Sequence, residues 1–69
     1  MKLVTWNINS LKARLSHVLQ YLEDAKPDLL MVQELKGTDL YEDDFKKAGY
    51  SIHAAAQKTY NGVAFISKE

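Results

Sequence analysis

Four consecutive apolar residues, Leu29-Leu30-Met31-Val32, follow Pro27 and end at Gln33-Glu34. A run this short, with a proline just upstream, reads as a strand rather than a helix. Apolar at every position, it needs cover on both faces. A partner strand is available upstream. Leu3 to Ile8 alternates, is rich in β-formers and closes in Asn7-Ile8-Asn9. Between the two, Leu11, Leu15, Val18, Leu19 and Leu22 recur at helical spacing, with Lys12, Ser16, Gln20 and Glu23 opposite. Ser10 can cap that helix by accepting a backbone N–H bond. Pro27 stops it, because a proline disfavours the α region for the residue before it. Strand, amphipathic helix and apolar strand make a βαβ unit with parallel strands and a right-handed crossover.

The remainder reads as helix, strand, strand. Gly37-Thr38-Asp39 makes a loop, and Asp39 is the expected cap of a short helix whose apolar side is Tyr41, Phe45 and Ala48. Glu42, Asp43 and Asp44 lie near its positive end and Lys46 and Lys47 near its negative end, as the helix dipole prefers. Gly49 suits the left-handed closing position. Tyr50 to Ala56 reads as a third strand, and Tyr60 or Gly62 to Ser67 as a fourth. The turn between them falls at Gln57-Lys58-Thr59 or at Asn61-Gly62. The first is preferred, because the second leaves only five residues for the return strand.

The chain has 69 residues, 46% of them hydrophobic and 26% charged, which describes one ordered globular unit, residues 1–69, and not a disordered segment. A chain of this size buries only about 60% of its unfolded surface and is marginal alone. There is no Cys, so no disulfide or thiolate zinc site can staple it; a reducing, cytoplasmic setting is expected. Nine basic and nine acidic residues cancel, so the basic footprint of a self-sufficient nucleic-acid binder is missing. No signal-peptide core follows Met1, and no run approaches a membrane span.

Chemistry gathers at two corresponding places. Asn7 ends the first strand and Glu34 ends the second. In parallel α/β units functional groups collect beyond the carboxyl ends of the strands. Neighbouring strands lie about 5 Å apart, so an amide oxygen and a carboxylate could converge on one cation. Both are hard oxygen ligands, suited to Mg²⁺ or Mn²⁺. The alternative is a solvated carboxylate and a turn-forming asparagine.

Thr5-Trp6-Asn7-Ile8-Asn9, then Ala13-Arg14-Leu15 inside the first helix, Pro27-Asp28, Gln33-Glu34-Leu35-Lys36 and Tyr60-Asn61-Gly62-Val63-Ala64 occur in order across the chain. Together they resemble exodeoxyribonuclease III and the apurinic/apyrimidinic endonucleases of the endonuclease/exonuclease/phosphatase superfamily. The resemblance implies the first part of a four-layered α/β sandwich of the DNase I-like kind, two β-sheets face to face with helices outside. It implies Glu34 as the principal ligand of Mg²⁺ (or Mn²⁺), with Asn7 beside the metal and the scissile phosphate. Asn9 stands where some relatives carry Asp, and the neutral amide puts a second metal there in doubt. Lys36 matches a lysine that faces the metal carboxylates and can hold Glu34 ionised. Lys12, Ala13 and Tyr60 match positions that meet the DNA backbone. His17 and His53 match no catalytic histidine and read as structural.

Family members are several times longer. The Asp-x-Asn and Ser-Asp-His segments of their catalytic set occur nowhere in this sequence. The expected protein is therefore the amino-terminal piece of a DNA-repair nuclease acting on double-stranded DNA, 3′-to-5′ and at abasic sites. It should be inactive alone and completed by the missing carboxy-terminal portion. A non-catalytic binding or vestigial module is one alternative. A phosphatase or RNA nuclease of the same superfamily is another, since substrate choice lives in loops. One sheet face is expected to stay exposed, and the fourth strand would lie bare as well if its neighbour comes from the missing part.

Overall fold

The computed structural model describes residues 1–37, 39–54 and 62–69. Six elements follow one another: β1 (Leu3–Asn7), α1 (Leu11–Ala25), β2 (Leu29–Gln33), α2 (Glu42–Lys47), β3 (Tyr50–Ala54) and β4 (Ala64–Lys68). The expected order of strands and helices is present. Positions 55 and 56 of the expected third strand, the candidate turn Gln57-Lys58-Thr59, Tyr60 and Asn61 lie outside the described residues, whereas Gly62 of the second candidate turn lies within them.

Helix α1 forms for the reasons its sequence suggests. The Ser10 hydroxyl accepts the Ala13 N–H at 3.2 Å. Leu11, Val18 and Leu22 are buried at helical spacing, and Lys12, Ser16, Gln20 and Glu23 are exposed. The helix closes at Lys26, which is left-handed and donates its N–H to Leu22. Helix α2 departs from expectation at its start. Asp39 does not cap it; its Oδ1 accepts the Tyr41 N–H at 2.9 Å, a turn two residues long that lies before the helix. Tyr41 takes the cap position without a side-chain cap bond. Phe45 is buried as expected, but Ala48 is exposed at the C-terminal end. Gly49 takes φ 87°, the left-handed closing conformation.

The strands form one sheet in the order β1-β2-β4-β3. β1 and β2 are parallel, with Leu3 opposite Leu29 and Asn7 opposite Gln33. β4 runs antiparallel to both β2 and β3. The fourth strand is not bare, because both its neighbours come from this chain: β4 is hydrogen-bonded on both sides, and the edges are β1 and β3. Insertion between β2 and β3 gives the most apolar returning strand two neighbours instead of one.

Register divides the sheet into two faces. Val4, Leu30, Ile66 and Ile52 form one row across all four strands, and Trp6, Val32, Ala64 and Ala54 another. These rows face the core, where Leu30, Val32, Ala64 and Ile66 join Leu11, Val18 and Leu22 of α1 and Phe45 of α2 in one cluster. Fully burying one such side chain contributes about 1.5–3 kcal/mol. The opposite face carries Leu3 and Leu29 in one row, and Thr5, Met31, Phe65 and His53 in the next. Here Leu3 is 64% exposed and Phe65 36%. Among the described residues, the helices cover one face and leave the other open.

Candidate functional site

The loops leaving β1 and β2 are joined by backbone bonds that extend the parallel pairing past the strands. Ile8 N–H donates to Gln33 O at 3.1 Å, Ser10 N–H to Glu34 O at 2.8 Å and Leu11 N–H to Leu35 O at 2.9 Å. Leu35 is buried and its own N–H reaches Gly62 O at 3.1 Å. The segment Glu34-Leu35-Lys36 is thus anchored at its centre, with a half-buried charged residue on either side.

That anchoring strains the backbone where the polar side chains sit. Glu34 (φ 58°), Lys36 (φ 53°), Asn9 (φ 50°) and Ser10 (φ 98°) all have positive φ, four of the six non-glycine residues that do so among the described residues. Such conformations disfavour L-residues and tend to persist at functional sites, held by the surrounding structure.

Asn7, Asn9, Glu34 and Lys36 form one network at the carboxyl ends of β1 and β2. The Asn7 amide Nδ2 donates to Glu34 Oε2 at 2.5 Å. Lys36 Nζ donates to Asn9 Oδ1 and lies 3.9 Å from Glu34 Oε1. Beside it, Gln33 Nε2 donates to Thr5 Oγ1 at 2.5 Å. Sequence reasoning gave Gln33 no role, although strand alternation puts Thr5 and Asn7 on one face of β1 and Asn7 opposite Gln33. That face is the open one, so the network stands on its rim.

The Glu34 carboxylate and the Asn7 amide oxygen are a sparse but hard donor set, the Asn9 oxygen being taken by Lys36. It fits Mg²⁺, which keeps most of its waters and takes few protein ligands. Among the described residues, no three His, Cys, Asp or Glu side chains converge as a denser metal site. The acidic trio Glu42, Asp43 and Asp44 belongs to the first turn of α2. His17 and His53 are exposed. Lys12 and Ala13 lie exposed in the first turn of α1, where the Ala13 N–H is already taken by Ser10. A groove between α1 and α2, lined by Gln20, Glu23, Lys26, Lys47 and Lys68, contains none of the network's residues.

The family described as Endonuclease/Exonuclease/phosphatase matches residues 4–69. An exodeoxyribonuclease of Bacillus subtilis is 36% identical over 73 residues, covering 100% of this chain and 29% of the relative. Among solved structures, an AP endonuclease from Archaeoglobus fulgidus is 39% identical with a TM-score of 0.87, covering 97% of this chain and 27% of that one. A 3′ phosphatase from Neisseria, bound to product DNA hairpin, is 45% identical with a TM-score of 0.84 over the same shares, 97% and 27%. The chain thus spans under a third of the length of the relatives it matches.

Proposed function

Because this chain belongs to the endonuclease/exonuclease/phosphatase family, as part of its DNase I-like fold, we propose that it is the metal-holding amino-terminal part of an exodeoxyribonuclease III-like DNA-repair nuclease. The observation that carries the reading is the Asn7–Glu34 hydrogen bond at adjoining strand ends, with Lys36 and Asn9 closing the network. Glu34 and Asn7 would hold Mg²⁺ or Mn²⁺, which when bound neutralises phosphate charge and helps position the attacking water. Glu34 supplies the charge for this, and Asn7 keeps the carboxylate oriented. Lys12, in the first turn of α1, pairs with a backbone phosphate of double-stranded DNA, while Ala13 and Tyr60 are read as further backbone contacts.

This chain contains none of the family's Asp-x-Asn or Ser-Asp-His segments. Members of a catalytic set act as a unit, and losing one can cost as much as losing all. Activity therefore requires a complementing portion, and the open sheet face is the surface it would cover. Because Asn7 stands on the rim of that face, the cover would also line the site. A second reading, removal of 3′ phosphates from DNA, is favoured by the Neisseria relative described as a 3′ phosphatase bound to product DNA hairpin.

The test mixes the 69-residue chain with the remaining three quarters of a relative as a separate polypeptide. Abasic-site duplex, recessed 3′ ends and 3′-phosphorylated DNA are assayed with Mg²⁺. The chain alone should stay at background and the mixture should cleave. Glu34→Ala should reduce that cleavage by more than the roughly 10–100-fold that losing an outer-shell partner costs. Cleavage by the chain alone, lost in Glu34→Ala, would overturn the partial-site reading. The substrate turned over fastest decides between nuclease and phosphatase.

A further inference from the structure

Glu34 already has a cation. Its Oε2 takes the Asn7 amide and its Oε1 faces Lys36 Nζ at 3.9 Å. A second contact tethers the ammonium: Asn9 Oδ1 accepts from it, and Asn9 and Lys36 both have left-handed backbones. Asn9 is neutral, so among the described residues Lys36 is paired with Glu34 alone, and these four side chains carry no net charge. We infer that Lys36 is a tethered counter-cation that competes with the divalent ion for Glu34, keeping metal binding weak and displaceable. This rests on the reading of Glu34 as the metal ligand.

The physical ground is Coulombic. A divalent ion arriving at Glu34 meets an ammonium already held near one carboxylate oxygen. Repulsion between a double and a single positive charge at such separations, in a largely solvated setting, weakens binding by on the order of tenfold. A lysine held there only to orient the ligands predicts the opposite sign, since removing it would loosen Glu34 and Asn9 and weaken metal binding. Lys36 is thus a positioning residue whose charge opposes what its hydrogen bond organises.

The test is a Mg²⁺ titration of the 69-residue chain followed by NMR at the backbone amides of Asn7, Asn9 and Glu34 and the side-chain amides of Asn7 and Asn9, repeated with Mn²⁺ line broadening. Lys36→Met keeps the aliphatic stem and removes the charge. It should lower the Mg²⁺ concentration for half-maximal response about tenfold, while Lys36→Arg should leave it near the wild-type value. Lys36→Gln serves if Lys36→Met does not fold, and the same tightening is required of it. Unchanged or weaker binding in the neutral variants, with the response still abolished by Glu34→Gln, would overturn this inference alone. A wild-type response that survives Glu34→Gln would instead overturn the metal-ligand reading, and the competition with it.

Discussion

Glu34 serves two demands that conflict. Its carboxylate joins the Asn7–Lys36–Asn9 network, and its backbone takes φ 58°. A left-handed residue with a long side chain costs about 1–2 kcal/mol, a penalty that asparagine partly escapes. The ion pair with Lys36 is half exposed, and such pairs are worth about 0–1 kcal/mol. Glu34→Asn should therefore unfold in urea at an equal or higher midpoint, with a gain of up to about 1 kcal/mol, while losing the Mg²⁺ response. A loss of stability larger than that would mean the carboxylate holds the two loops together, and the strain argument would fail. Asn7 and Glu34 were legible as candidates because each ends a strand. The Lys36–Asn9 bond was not, since it depends on how two loops close against each other.

The elements are pinned at the end of the sheet opposite the site. Asp28 Oδ2 accepts the Lys2 N–H at 2.6 Å, the Asp28 N–H donates to Lys2 O, and Lys68 N–H donates to Asp28 O. Lys68 Nζ lies 4.0 Å from Asp28 Oδ1. The beginnings of β1 and β2 and the end of β4 thus meet at one residue. The backbone N–H of Lys2 holds the Asp28 carboxyl below its ordinary range, helped by the charges of Lys68 and the amino terminus and opposed by partial burial. A depressed carboxyl stabilises the fold fully above its unfolded pKa of about 3.9, and that contribution is lost as pH falls through the lower folded value. Unfolding midpoints followed from neutral pH down to about pH 2 should show wild type losing its advantage over Asp28→Asn below about pH 4. Parallel curves for the two proteins would remove Asp28 from the account.

At the scale of the whole molecule, the open face decides behaviour. Among the described residues, Leu3, Leu29, Met31 and Phe65 lie on one side of the sheet without a covering layer, and β1 and β3 are the edge strands. Exposed apolar faces and bare edges promote association. The isolated chain should self-associate in sedimentation velocity runs, and Leu3→Gln with Phe65→Ser should shift it towards monomer. The same double variant should bind a complementing polypeptide less well, because that face is the proposed docking surface. A wild-type monomer with cooperative two-state unfolding and no binding of the complement would point to an independent module. The edges themselves needed the structure: β4 would lie bare only if its neighbour came from the missing part, whereas both its neighbours are in this chain and β3 is the outer strand.

Sequence alone determined what local forces decide. Apolar spacing, the Ser10 cap, Pro27 and Gly49 set the bounds of the helices, and the length and composition of Leu29–Val32 made it a strand parallel to the first. The correspondence of Asn7 and Glu34 followed from those bounds, and with it the family likeness. Only the tertiary structure decided that β4 enters between β2 and β3, because backbone hydrogen bonds between strands are nearly indifferent to side-chain identity and either order satisfies the same alternation. It also decided the left-handed backbones at Glu34 and Lys36. These follow from Leu35 being buried and bonded to Gly62 while its neighbours stay near solvent, a contact between residues far apart in the chain that no local pattern encodes.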